Sequence, residues 1–412
     1  MILDFIKRAS TISATRFVAL SLATIDMIML GHTNISSVQD YTLASQLIQV
    51  FVILAVVLCI GINIVLGQSK DKLCRASQEI LGYSICVGAT LLTISLPFAG
   101  LVDGSRYAIQ SYFILAVSIL PLSIYIGLSN ILESQGLEKK ILAITIASSV
   151  LNVLLNYLAI SIFDNAAVAV SSSTLMTRIL ILIPAIYVGI KYGLIAKPRF
   201  SKNMTKKLFS FGRTEALTSM LFTGGISILV IMFSHIYSQE QTAFLGFSLN
   251  FMNTFSVIYV GLAISLSISL SKSDKEDVEP YSILSFTIGY ILVTALVLAM
   301  FTSTIAKIYT PQATDELVTA LKLAVAVISI DGIALLFISW LRIKGFSQLP
   351  PLFRLSMIFI SLPSVFFIQI MGNPIQNAVL FMGIGNLVAA ILSIAYFKLK
   401  IRRKVNVPLM TN

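Results

Sequence analysis

The chain has 412 residues, of which 57% are hydrophobic and only 11% charged, and its mean hydropathy is +0.92. A soluble domain carries about 25% charged residues, so this composition excludes a soluble enzyme, a nucleic-acid-binding module and a disordered scaffold, whatever the net charge of +11 suggests. Three cysteines (Cys59, Cys74 and Cys86), odd in number and without paired spacing, offer neither a disulfide framework nor a metal site.

What remains is a polytopic membrane protein. A helix crossing a hydrocarbon core of about 30 Å needs about 20 largely apolar residues. Twelve such stretches follow in order: 13–31, 41–67, 79–101, 107–130, 141–163, 165–190, 211–237, 242–270, 280–303, 316–340, 350–371 and 375–397. A closed barrel would need strands alternating polar and apolar residues, and 53-ILAVVLCIGINIVLG-67 does not alternate. The expected fold class is therefore an all-α integral membrane protein.

Lysine and arginine set the orientation. With the amino terminus inside, 23 of the 29 fall on inside segments, while the outside loops hold only Arg106 and Lys307. Arg16, Arg178, Lys322 and Arg354 lie in spans or at their edges. Both termini are thus expected to be cytoplasmic, in a multi-pass protein of a cell membrane such as the bacterial inner membrane. The positive charge then meets anionic lipid headgroups rather than nucleic acid.

The most basic loop, 191–210, separates six spans from six, which gives an expected amino-terminal bundle over 1–190 and a carboxyl-terminal bundle over 211–412. The halves match at an offset of 200 residues: Gln39, Asp40 and Thr42 against Gln239, Glu240 and Thr242, then Gly61, Ile64 and Leu66 against Gly261, Ile264 and Leu266. Each half starts and ends inside, so the repeats share one orientation about an axis along the membrane normal, an arrangement common in secondary transporters. No GxxxxGK[ST] stretch occurs, so ATP hydrolysis by this chain is excluded. An ion gradient is left as the energy source.

Polar residues inside spans are candidates for ion handling, because a charge near the bilayer centre costs about 2.5–3.5 kcal/mol. Asp26 lies in the first span and Asp331 in the middle of the tenth. Each either takes up a proton or binds a cation, unless it is a core acid without a role. Asn152 and Asn156 share one face of the fifth span, with Ser171, Ser172 and Ser173 in the sixth; such residues also stitch helices together. Gln46, Gln49, Asn250 and Asn253 read the same way and are candidates for lining a substrate cavity. Arg178, deep in the sixth span, could pair with an acid, contact substrate, or snorkel. His32 and His235 fall at outer span ends, and Trp340, the single tryptophan, stands where a span meets headgroups, as an anchor would.

Four segments resemble the multidrug and toxic compound extrusion (MATE) transporters. Here 25-IDMIMLGH-32 is similar to VDTIMVGHLG, and 61-GINIVLGQ-68 to GxxxLVAQ. The segment 132-LESQGLEKKILAITIASSVLNVLLNYLAI-160 resembles LRGLGDTRTPMLISLISLLLNILLNYLLI, and 341-LRIKGFSQLPPLFRLSMIFISLP-363 resembles LRGAGRTRIPMLINLVSYWLIGLP. The resemblance implies two six-helix bundles and export of small amphipathic or cationic compounds by antiport with protons or sodium, through alternating access. It implies no cofactor, no metal beyond a sodium ion at Asp26 or Asp331, and a monomer whose partners are a small-molecule substrate and the bilayer.

By the same resemblance, Asp26 matches the first-span aspartate of proton coupling, and Asn152 the asparagine beside it. Asn156 stands where many members have aspartate, Ser172 near a family threonine, and Asp331 at the tenth-span aspartate of the sodium-coupled branch. Thr223 replaces that branch's seventh-span glutamate, and the first span lacks the proline at which some members bend. Rival readings are a flippase for lipid-linked oligosaccharides, which would line its cavity with several cations, and an integral-membrane enzyme, which would carry a polar catalytic loop.

Overall fold

The computed structural model describes residues 2–405 except 60–61, 63–64, 67–72, 103–104, 196, 273–278, 344–345 and 347–351. The described residues form helices joined by short turns: α1 (Ile2–Gly31), α2 (Ile35–Leu58), α3 (Leu73–Ser95), α4 (Arg106–Val117), α5 (Ile119–Glu133), α6 (Glu138–Ile162) and α7 (Ala166–Leu180). They continue as α8 (Leu182–Lys191), α9 (Lys202–Ile236), α10 (Gln239–Lys272), α11 (Glu279–Tyr309), α12 (Asp315–Ile343), α13 (Ser356–Met371) and α14 (Pro374–Val405).

Ten helical stretches among the described residues are long and apolar enough to cross a membrane. Two shorter apolar helices, Leu22–Gly31 and Ser356–Ile368, stand at the first and eleventh of the expected spans. The fold is all-helical, and the chain is a multi-pass membrane protein. α13 has 16 residues, about 24 Å at 1.5 Å per residue, which is less than a full crossing. The expected start of its span at 350–351 lies outside the described residues.

Helix starts are set by local chemistry. Asn34 caps α2, its side chain accepting from Ser36 N at 3.0 Å. Ser105 caps α4 and Asn165 caps α7, and both side chains also bond the buried Asp40 carboxylate of α2. Such caps contribute about 1 kcal/mol each. One carboxylate therefore ties two helix amino termini to a third helix. Ser201 caps α9 in the same way, so the basic 191–210 segment becomes helical at Lys202. Ahead of it Arg199 packs on α3: its N donates to the Gln78 carbonyl at 3.0 Å, and a Cβ on Gly82 would lie 2.3 Å from its carbonyl oxygen.

The chain divides into two compact units, Ser21–Gly246 and Met1–Leu20 with Phe247–Asn412. In the 21–246 unit, α2 packs on α4 and α9, α3 on α5, and α7 on both α4 and α6. In the 247–412 unit, α12 packs on α11 and α14, and α13 on α14. The span Ile35–Leu58 is 61% buried and Asp315–Leu341 67%, against 22% for Glu138–Ile162 and 28% for Ser282–Tyr309. α2 and α12 are thus the most buried spans of their units, with Asp40 and Asp331 enclosed among the neighbouring helices. α6 and α11 turn Leu158, Ile162, Leu296 and Met300 outward, an apolar surface suited to lipid rather than water.

Two spans are divided. α4 gives way to α5 at Ser118, and α7 to α8 at Ile181. In each case a proline, Pro121 or Pro184, follows three residues later, where the missing amide hydrogen removes an intrahelical bond. In the 247–412 unit α13 and α14 approach closely: a Cβ on Gly385 would lie 2.3 Å from Met357 Cα, and Ser356 Oγ donates to the Gly385 carbonyl at 2.8 Å. Small residues permit this kind of membrane-helix contact.

Trp340 departs from its expected place. It is 3% exposed and its ring stands edge-on to Phe397 at 5.1 Å, so it belongs to the α12–α14 core and not to an outward aromatic belt. His32 and His235 are both exposed at helix ends.

Candidate functional site

Asp26 stands near the end of α1 and is 2% exposed. Three elements surround it with neutral donors. Tyr41 Oη, from α2, donates to Oδ2 at 3.1 Å, and Thr174 Oγ1, from α7, reaches the same oxygen at 3.1 Å. Asn156 Nδ2, from α6, donates to Oδ1 at 2.7 Å and also lies 3.2 Å from Asn152 Oδ1. Asn152 Nδ2 in turn reaches Thr177 Oγ1 at 3.5 Å. The helical spacing explains the convergence: Asn152 and Asn156 are i, i+4 on α6, and Thr174 and Arg178 are i, i+4 on α7.

The donor count matters more than the distances. A hydroxyl has one hydrogen to give, yet Thr174 Oγ1 lies within reach of both Asp26 Oδ2 and the Val170 carbonyl, at 3.1 and 3.0 Å. Thr174 therefore serves an ionised Asp26 by donating to it. For a protonated Asp26 it accepts the new hydrogen and donates to Val170 instead. Asn156 Oδ1, fully buried, has no hydrogen-bond partner, which leaves an unused oxygen lone pair beside the acid. The cluster therefore has a hydrogen-bonding arrangement for either protonation state of the acid.

Arg178 does not snorkel. Its NH1 donates to the buried Ser118 Oγ at 2.5 Å, at the junction of α4 and α5. It lies within electrostatic reach of Asp26 but forms no ion pair with it.

The other intramembrane acid is held differently. Both oxygens of Asp331 are taken by one guanidinium: Arg354 Nε to Oδ1 at 3.1 Å and NH2 to Oδ2 at 2.9 Å. The two side chains are 10% and 28% exposed respectively. Next to it, Gly332 lets the Tyr259 ring lie close against α12, and Tyr259 Oη meets Ser329 Oγ at 3.3 Å.

The remaining expected residues are scattered. Ser172 Oγ, half-buried, donates to its own helix at Val168 O, 2.8 Å away; the α7 hydroxyl that reaches the acid is that of Thr174. Ser227 Oγ stands within bonding distance of both the Gln46 carbonyl, at 2.7 Å, and that of buried Thr223, at 3.0 Å. Gln49 is half-buried on α2. Asn250 is buried and accepts from Tyr309 Oη at 2.8 Å, while Asn253 is exposed.

The fold has counterparts among solved structures. The chain matches the inward-facing conformation of a multidrug resistance MATE family transporter of the MOP superfamily with a TM-score of 0.80 at 16% identity, over 95% of this chain and 96% of that one. It matches a MATE protein in complex with MaD3S at TM-score 0.70 and 15% identity, over 98% and 96% of the two chains. A third match is a MOP superfamily transporter from Pyrococcus furiosus Vc1 (DSM3638), whose binding pocket is described as having reverse polarity that suggests a different function. Its TM-score is 0.64 at 16% identity, over 97% of each chain. No protein-family model and no curated protein matches the chain. The class defined by this likeness is the all-helical fold of a membrane transporter. Within that class, the fold is that of the MATE transporters, as the sequence resemblance implies.

Proposed function

We propose that the chain is a secondary transporter that exports small amphipathic or cationic organic compounds in exchange for protons or sodium, by alternating access, with both termini in the cytoplasm. The observation that carries this reading is the Asp26 cluster: a fully enclosed acid, held only by neutral groups, with a hydroxyl able to serve both protonation states. A charge with no fixed counter-ion at membrane depth is costly, so a visiting proton or cation stabilises this unit differently from an empty site. A ligand shifts a conformational equilibrium only through such differential stabilisation.

Asp26 is the main coupling group, with Asn152, Asn156 and Thr174 adjusting around it. A sodium ion, if that is the coupling ion, finds oxygens on Asp26, Asn156 and Asn152. Asp331 is the second acid, and it takes part only when Arg354 releases it. The test is efflux of a cationic dye by the purified chain in proteoliposomes, driven in turn by a pH gradient and by a sodium gradient. One of the two gradients should drive uphill dye movement in the wild type and none in Asp26→Asn. Gradient-driven efflux at the wild-type rate by that variant would remove Asp26 from the mechanism.

A further inference from the structure

α8 ends in a reversing turn. Gly193 takes φ +65°, and Leu194 N donates to the Gly189 carbonyl at 2.9 Å, the usual way a glycine closes a helix. The chain then folds back as a strap. Leu194 is buried, Ile195 packs against Leu81 and Ala185, and the Arg199 backbone docks on Gln78 and Gly82 of α3. At the near end Lys140, from the first turn of α6, lies over the Tyr192 ring at 4.1 Å from its centroid and donates to its hydroxyl. The strap thus ties α3, the start of α6 and the end of α8 together, and it leads straight into α9, all within the 21–246 unit.

Backbone and apolar groups do this folding, and the cations are left over. Lys139, Lys191, Lys197, Arg199, Lys202 and Lys206 are all exposed, and none has an acid partner among the described residues. No Asp or Glu occurs between Asp164 and Glu215. The acids of this face are few: Glu79 is taken by Arg75, Glu133 ends α5, and Glu138 sits in the first turn of α6, where a helix start favours a negative charge. Apolar surface begins directly beside the cations. Ile183, Tyr187 and Ile190, spaced along one face of α8, are exposed up to the position before Lys191, and Phe200 is exposed between Arg199 and Lys202.

We propose that the strap and the start of α6 form a binding site for an anionic phospholipid. Its phosphate is held by Lys139, Lys191, Lys197 and Arg199, and its acyl chains lie along Ile183, Tyr187 and Ile190. Cations on inside loops attract anionic lipid in general; this group differs because the docked strap holds its cations in fixed places against a lipid-facing helix. A soluble phosphate would satisfy the charge and leave the apolar strip unused, so the chemistry selects a ligand with both a phosphate and tails. A lipid that bridges Lys139 and the strap also holds the strap against α3. The site depends neither on the coupling ion nor on the exported compound.

The purified full-length chain in neutral detergent is titrated with phosphatidylglycerol and with phosphatidylcholine, and bound lipid is counted by native mass spectrometry. Each cation beside a phosphate is worth about fivefold in affinity, so the wild type should bind phosphatidylglycerol at least about tenfold more tightly. The fourfold variant Lys139→Gln, Lys191→Gln, Lys197→Gln, Arg199→Gln should bind the two lipids alike. Its thermal midpoint without lipid should match the wild type, because the replaced side chains are exposed. Removing three cations of the carboxyl-terminal tail instead (Arg402→Gln, Arg403→Gln, Lys404→Gln) should leave the preference intact. Should the fourfold variant fail to fold, Lys197→Glu carries the test alone and should cut the preference several-fold. Equal binding of the two lipids by the wild type would overturn the proposal, as would a preference that survives the strap substitutions or is lost equally in the tail variant. Glycerol 3-phosphate that displaces phosphatidylglycerol at equal concentration would also overturn it, by showing a site for free phosphate.

Discussion

The two units each hold an acid within a span with an arginine in its neighbourhood, and they treat the two charges in opposite ways. In the 247–412 unit Arg354 closes on Asp331 with two hydrogen bonds, and the charges cancel within the fold. In the 21–246 unit Asp26 and Arg178 are each given neutral partners and kept from pairing. The closed pair is a finished interaction: its charges are matched, and removing either member strands the other. The open arrangement leaves both charges with neutral partners and no fixed counter-ion. Transport by ion exchange needs the second kind, and the proposed coupling role therefore goes to Asp26 rather than Asp331.

Four experiments break or sharpen that contrast. The largest effect is expected for Asp26→Asn: gradient-driven efflux falls by about a hundredfold or more, as loss of an essential ionisable group implies, while the thermal midpoint in detergent stays near that of the wild type. Efflux that survives would mean the open arrangement is not the working one. Next comes Arg354→Gln. Stranding a buried partner costs about 3–5 kcal/mol; the partial exposure of this pair lowers the expected loss to about 2 kcal/mol, seen as an earlier unfolding transition. Adding Asp331→Asn should restore most of that loss. A single variant as stable as the wild type would show that the pair is not closed in the membrane.

A smaller effect, a several-fold fall in efflux with about 1 kcal/mol of stability, is expected for Thr174→Val, which removes the hydroxyl that adapts to both forms of Asp26. The smallest is Ser172→Ala. That hydroxyl serves its own helix, so both efflux and stability should stay within about 0.5 kcal/mol of the wild type. If the two variants exchanged rank, the face of α7 turned toward Asp26 would be the one bearing Ser172.

Much of the open site can be read from residue order alone. Asp26 stands out because a carboxylate inside an apolar span has few structural uses, and Asn152 and Asn156 because amides at i, i+4 mark one face. Tyr41 and Thr174 give no such signal: tyrosine and threonine are ordinary in membrane helices, and only the rotation of α2 and α7 aims them at the acid. That rotation also separates Thr174 from Ser172, two residues apart and so nearly on opposite sides of the helix. The Asp331–Arg354 pair spans 23 positions and joins a mid-span residue to one at a span's edge, so no local pattern announces it. Trp340 reads as an anchor because of its distance from the loop. Its helix has no single apolar face, so nothing in the order of residues says that its indole turns toward Phe397. The start of α9 is hidden for a related reason: lysines make Lys202–Lys207 look like linker, although long basic side chains reach water from the surface of a helix.

The divided helices have one further consequence. Pro121 and Pro184 leave the carbonyls of Val117 and Leu180 without the usual amide donor four residues on. Because Arg178 Nη1 grips Ser118 at 2.5 Å, these two weak points lie close to one level of the bundle. Each junction keeps its flanking ladder bonds, Leu122 N to Ser118 O and Ala185 N to Ile181 O among them, so bending there opposes one bond fewer than bending elsewhere along the same rods. The segments Ile119–Glu133 and Leu182–Lys191 share packing around Leu81, Leu128 and Ala185, so any bend at the two prolines would carry them together with the helix Leu73–Ser95.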